Sequence, residues 1–154
     1  MAFQFRFQKL LEHRKHLVRQ AQIELAQALA QVQDLQDRIT AVEQRIRDLR
    51  THLAARQRHG VSVAEFLSMQ EHLGGLEQQL LNLKGQLKGA ERQAAVRREA
   101  LVEKEREAKK LERLEEIDHE RFRNDTKKKE QKFLDESARA NFQRSAPTPG
   151  DATD

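Results

Sequence analysis

His13 and His16 stand three residues apart with Glu12 beside them. On a helix that spacing puts both imidazoles on one face, where two nitrogens could share a metal ion. No HExxH accompanies them and no third ligand is evident, and with no Cys in the chain neither a thiolate site nor a disulfide framework can be built. His52, His59, His72 and His119 read as solvated helix residues. No GxGxxG and no GxxxxGKS or GxxxxGKT is present, so no phosphate-cradling loop is encoded. A catalytic pair of Ser or carboxylates needs a concave site, and the elements required by the rest of the sequence supply none. The expectation is a protein that is not an enzyme and carries no cofactor and no metal.

Those elements follow from composition and period. The 154 residues are 35% charged and 37% hydrophobic, with no Trp or Tyr, 2 Pro and 6 Gly. Strands favour β-branched and aromatic residues. Here the helix formers Ala, Leu, Glu, Gln, Lys and Arg dominate, the bias of coiled coils and long helices. Positions 7, 11, 14, 18, 21, 25, 28, 32, 35, 39, 42, 46, 49 and 53 alternate steps of four and three, and all but Arg14 are apolar. So sustained a heptad seam argues a coiled coil. Arg58-His59-Gly60 then sets cations and a glycine where a helix ends. Ser62 with Glu65 forms a capping-box pattern, and Val61 with Phe66 a hydrophobic staple. A second seam runs Phe66, Met69, Leu73, Leu76, Leu80, Leu83, Leu87, Ala90, Ala94, Arg97, Leu101, Lys104, Ala108 and Leu111.

A short turn between two seams requires an antiparallel hairpin. The expected fold is all-α: a long two-helix antiparallel coiled-coil hairpin over residues 1–144, with a helical C-terminal overhang. Helix one is expected over about 3–58, the turn over 59–62, and helix two over about 63–142. A disordered tail is expected over 145–154. Leu53 should face Phe66, Ile39 Leu80, Leu25 Ala94, and Leu11 Ala108, leaving the second helix without a partner beyond about residue 115.

Three features lie outside this framework. Arg14 and Lys104 fall on opposing layers and Arg97 faces Ala21, which reads as snorkelling of long stems out of the seam. Leu67, Gly74, Leu81, Ala95 and Val102 share one heptad position, with Gly75, Gly89 and Val96 beside them. They form a small, apolar stripe pointing away from the first helix, a candidate docking surface. Finally, Phe3, Phe5, Phe7, Phe122, Phe133 and Phe142 gather toward the end that carries both termini, where exposed aromatics would suit a partner's cavity.

Charge excludes further classes. Residues 1–60 carry 11 basic and 6 acidic side chains, and residues 101–144 carry 13 and 12, closely interleaved. Interleaved signs describe a solvated helix face, whereas a nucleic-acid binder concentrates its basic excess on one surface. Lys127, Lys128, Lys129 and Lys132 make a short basic run countered by Glu130, Asp135 and Glu136, so a polybasic binding helix is the weaker reading. The sequence shows neither the unbroken apolar core of a signal peptide nor a membrane-spanning run, and a cytoplasmic location is expected.

The opening Phe3-Gln4-Phe5-Arg6-Phe7-Gln8-Lys9-Leu10-Leu11 with Arg14 resembles the start of FliJ-type flagellar export proteins. Glu107–Leu114 is also similar, and so is Glu130–Ala138, with its Leu134-Asp135-Glu136. The resemblance implies a soluble component of the flagellar type III export apparatus, an antiparallel coiled coil similar to the stalk subunit of rotary ATPases. It implies insertion of the terminal end into the hexameric FliI-like export ATPase, contact with the FlhA-like gate, and escort of export chaperones. It implies a place at the cytoplasmic face of the inner membrane, reached only through partners. At the ATPase end the matching positions are Phe5, Phe7, Leu10, Leu11, Leu134 and Asp135. The implied gate flank is Arg38, Val42, Arg45, Leu49, His72, Leu76, Gln79 and Leu83. The equivalent stalk of a virulence secretion system is the neighbouring alternative.

Overall fold

The computed structural model describes residues 2–147. The fold is an all-α helical hairpin, with no strand among the described residues. Helix α1 runs Gln8–His59 and helix α2 runs Val63–Ser145. The chain divides into two compact units. One comprises the residues up to Glu12 together with the chain from Ala108 onward, and the other comprises His13–Glu107.

The turn follows the local chemistry. Arg56, Arg58 and His59 occupy the last turn of α1, beside the carbonyls that carry its negative dipole end. Gly60 adopts φ 90°, a left-handed conformation that strains any residue with a Cβ. Ser62 caps α2: the Glu65 amide donates to its hydroxyl at 3.2 Å, and the Phe66 amide donates to its carbonyl at 3.0 Å. The carboxylate of Glu65 does not close the expected box. It accepts instead from Arg56 across the turn at 2.6 Å, tying the end of one helix to the start of the other.

In the His13–Glu107 unit the seam forms the core. Leu35, Ile39, Val42, Ile46, Leu73, Leu76, Leu83 and Ala90 make one buried cluster, with Val32, Leu49, Leu80 and Leu87 packed against it. Ala21, Leu53 and Ala94 are buried too. Ion pairs flank the seam: Arg50–Glu77 at 2.8 Å, Lys84–Glu43 at 3.9 Å, Arg97–Glu24 at 3.1 Å and Arg14–Glu107 at 2.5 Å. Arg97–Glu24, Arg14–Glu107 and Arg56–Glu65 each join a residue three after one member of an expected layer to a residue one before the other. The flanking charges therefore keep the register that the apolar spacing sets. Arg14, at a seam position, pairs with Glu107.

In the terminal unit two expectations are corrected. Residues 3–7 are not helical. The chain turns at Phe5, whose carbonyl accepts from the Gln8 amide at 3.2 Å, and α1 begins at Gln8 without an acidic first turn. The reason is packing: Phe5 is buried, the Phe7 ring stands edge-on to it at 5.8 Å, and the Phe3 ring lies against α2. The second correction follows. Past residue 115 α2 still has a partner, because Phe3 sets its ring edge-on to His119 at 4.8 Å and tilted against Phe122 at 5.5 Å. His119 is therefore not merely a solvated helix residue.

At the other end α2 continues through Ser145, whose hydroxyl donates to the carbonyls of Asn141 and Phe142, so the first residue of the expected tail is helical. Of the remaining expected tail, residues 148–154 lie outside the described residues.

Two glycine substitutions should move stability in opposite directions. Gly60→Ala must hold a Cβ at positive φ and should cost about 1–2 kcal/mol. Gly75 lies inside α2 with no atom within 4 Å of an added Cβ, so Gly75→Ala should gain up to about 1 kcal/mol. Urea denaturation followed by far-UV circular dichroism checks both signs.

Candidate functional site

The terminal unit divides its apolar residues into a packed set and a presented set. Phe5 is 7% exposed and Leu11 only 1%, with Ala108 also buried. Phe7 is half-buried, its ring edge-on to Phe5 at 5.8 Å and covered by the Arg6 guanidinium at 4.7 Å. Arg6 also stands 4.0 Å from Asp118. Grooves of about 390 and 280 Å³ run beside Phe3, edged by Glu115 and, in the smaller, His119 and Arg123. The presented set lies elsewhere. Leu10 is exposed, and on α2 Phe133 is 69%, Leu134 60% and Phe142 74% exposed. Asp135 is exposed and accepts from the Gln131 side-chain amide at 3.3 Å.

Of the six residues expected at an ATPase, therefore, Leu10, Leu134 and Asp135 are presented. Phe5 and Leu11 hold the fold, and Phe7 lies between. Phe3 and Phe122 are likewise spent on internal packing, while Phe133 and Phe142 are not. The period-two alternation of the opening phenylalanines was the signal that distinguishes these groups. It marks a segment that is not helical before Gln8 and whose rings pack within the terminal unit, rather than a helix with a free aromatic face.

The expected gate flank sorts in the same way within the His13–Glu107 unit. Val42, Leu76 and Leu83 are buried in the core cluster. Leu49 is half-buried and packs against that cluster. Arg38, Arg45, His72 and Gln79 are exposed, Arg38 being paired with Asp34 at 3.0 Å. His72 and Gln79 border a shallow groove of about 430 Å³ with Ser68, Glu71, Gly75 and Leu76.

The outward stripe is brought together as the heptad spacing requires. Leu67, Gly74, Leu81, Ala95 and Val102 are all exposed, and so are Gly75, Gly89 and Val96. A groove of about 660 Å³ lies among Val96, Arg98, Val102 and Glu103. His13 and His16 are exposed as well. Among the described residues no three His, Asp or Glu side chains gather where they could hold a metal ion.

No buried polar or charged residue occurs among the described residues, and no buried side-chain nitrogen or oxygen lacks a hydrogen-bond partner. Apolar side chains framed by charges can dock a partner.

A family model described as "Flagellar FliJ protein" matches residues 3–147. No curated protein and no solved structure matches the chain.

The division into packed and presented residues has a direct check. Leu11→Asp forces a carboxylate into an enclosed apolar site and should cost several kcal/mol, about 3 or more. Phe133→Asp changes an exposed position and should stay within about 0.5 kcal/mol. Thermal melts of the two variants should differ accordingly.

Proposed function

The chain belongs to the flagellar FliJ family, a component of the flagellar protein export apparatus, and on that premise we propose that it works as a stalk for the export ATPase. In this reading the terminal unit enters the pore of the FliI-like hexamer. The exposed apolar set of Leu10, Phe133, Leu134 and Phe142 makes the contact. Phe5, Phe7 and Leu11 act indirectly, by holding the segment that carries Leu10. The observation that supports the reading most is the size of that apolar set on α2, which the chain leaves exposed and which a monomer in water has no use for.

The mechanism is one of geometry and differential binding. A hairpin in a ring of like subunits contacts them unequally. It can favour one arrangement of the ring only by binding that arrangement better than the others. Assembly of the hexamer and its hydrolysis cycle are biased by that difference, and no bond chemistry is required of the hairpin itself. Contact with an FlhA-like gate belongs to the same proposal. It would use Arg38, Arg45, His72 and Gln79 as the polar, exposed part of the flank, with Leu49 at its apolar edge. Escort of export chaperones completes it. No helix among the described residues is long and apolar enough to cross a membrane, so placement at the inner membrane would come through the gate.

Hydrolysis by the cognate export ATPase, measured with and without the protein at matched salt, tests the proposal. The protein alone should hydrolyse nothing and should raise the rate of the ring. Leu10→Asp and Leu134→Asp should each abolish most of the stimulation while keeping wild-type helicity. Undiminished stimulation by both variants would remove pore insertion.

A further inference from the structure

The side of α2 opposite its seam carries an ordered charge pattern. Along that side lie Gly85, Lys88, Gly89, Arg92, Ala95, Val96, Glu99, Val102, Glu103 and Arg106, and every one is exposed. The seam residues Leu83, Leu87, Ala90, Ala94 and Leu101 point the other way, toward α1. Lys88 and Arg92 are four apart, and so are Glu99 and Glu103. Like charges at that spacing repel within a helix, so the order does nothing for α2 itself. Among the described residues none of these four forms a salt bridge or side-chain hydrogen bond. Between the basic pair and the acidic pair sit Ala95 and the exposed Val96.

A face with a basic pair on one side of a small, apolar centre and an acidic pair at the same distance on the other, with Arg106 beyond the acidic pair, is complementary to itself over those four charges when reversed. We propose that this face pairs antiparallel with the same face of a second copy, about a two-fold axis passing between Ala95 and Val96. In that register Arg92 meets Glu99 of the second copy and Lys88 meets its Glu103. Ala95 meets the second copy's Val96. Gly89 offers room to the second copy's Val102, and Gly85 to its Arg106. Each contact occurs twice, as an isologous interface demands. The glycines fit the same account: within the chain no atom lies within 4 Å of a Cβ added at Gly85 or Gly89, so no internal packing requires them.

Charge complementarity identifies the occupant as this chain itself, because an unrelated helix would have to reproduce the same split ladder in reverse. Opposite signs across the axis also specify direction, since a parallel pairing sets Lys88 on Lys88 and Glu99 on Glu99.

The test is sedimentation equilibrium on the full chain over a rising concentration series. The 18.0 kDa chain should approach twice its mass, less readily as salt is raised. R92E and E99R should each remain at the mass of one chain, because each sets like charges face to face twice. An equimolar mixture of the two should return to twice the mass, and so should the doubly exchanged R92E/E99R chain. A wild type that stays at one-chain mass overturns the proposal. So does self-association of both single variants at wild-type strength, which would place the contact elsewhere, as on Phe133 and Phe142. Single variants that both dissociate without recovery in the mixture overturn the two-fold register.

Discussion

One interface holds the hairpin together, and each helix depends on it entirely. An isolated amphipathic helix leaves its apolar stripe in water and draws little stability from propensity alone. Here the stripe of α1 has nothing to cover it but the stripe of α2. Within the His13–Glu107 unit the interface is uneven. Toward the turn it is built from Leu35, Ile39, Val42, Ile46, Leu53, Leu73, Leu76 and Leu83. Farther along, Ala21, Ala90 and Ala94 replace the larger residues, and Arg14, Arg97 and Lys104 enter the seam positions. Burial contributes in proportion to apolar area, about 25 cal/mol per Å², so the alanine layers contribute far less than the leucine layers. Exposed ion pairs such as Arg97–Glu24 add about 0–1 kcal/mol each. Their part is to oppose slippage of the register more than to supply binding energy.

This economy explains why so many candidate site residues turn out to be structural. A two-helix hairpin has little interior, and every large apolar side chain in the heptad seam is consumed by it. Val42, Leu76 and Leu83 sit on the flank assigned to a partner, yet they are core. What remains available is the charged and small residues around the helices, and the aromatics that lie beyond the packed part of the terminal unit. Arg45, His72, Leu10 and Leu134 are exposed, whereas Leu11 and Leu83 are enclosed. The outward side of α2 has a different character, since its apolar residues are small or isolated and its charges are ordered.

The two seams, the stop at Gly60 and the cap at Ser62 were legible because each rests on a local rule: period, positive φ, or a side chain that satisfies an amide. Lateral placement on α2 was legible for the same reason, and Leu67, Leu81 and Val102 stand exposed where the heptad puts them. Two things were not. The start of α1 is one: Phe7 continues the heptad spacing by one more step, yet the chain turns at Phe5 and the helix begins only at Gln8. Selecting contact residues by likeness to a family's motif could not separate residues that touch a partner from residues that position those that do. Phe5 and Leu11 match the motif yet are buried in the fold. Glu65 shows a smaller case: the capping pattern predicts a bond to the backbone of Ser62, but Arg56 competes for the carboxylate and wins through opposite charge.

The position of the turn has a mechanical consequence. Arg56–Glu65 closes a loop of a few residues, Arg50–Glu77 a longer one, and Arg97–Glu24 and Arg14–Glu107 span most of the unit. Each layer added away from Gly60 closes a longer loop, at an entropic cost that rises slowly with length, and it does so where the seam is weakest. Layers near the turn thus close short loops and hold the larger side chains, and those at the far side close long loops around smaller ones. Tension that pulls His13 and Glu107 apart loads only the outermost layer at any moment and peels the layers one after another. Tension directed along the helices loads every layer at once. The same hairpin is thus compliant to separation of its helices and stiff to sliding of one helix along the other.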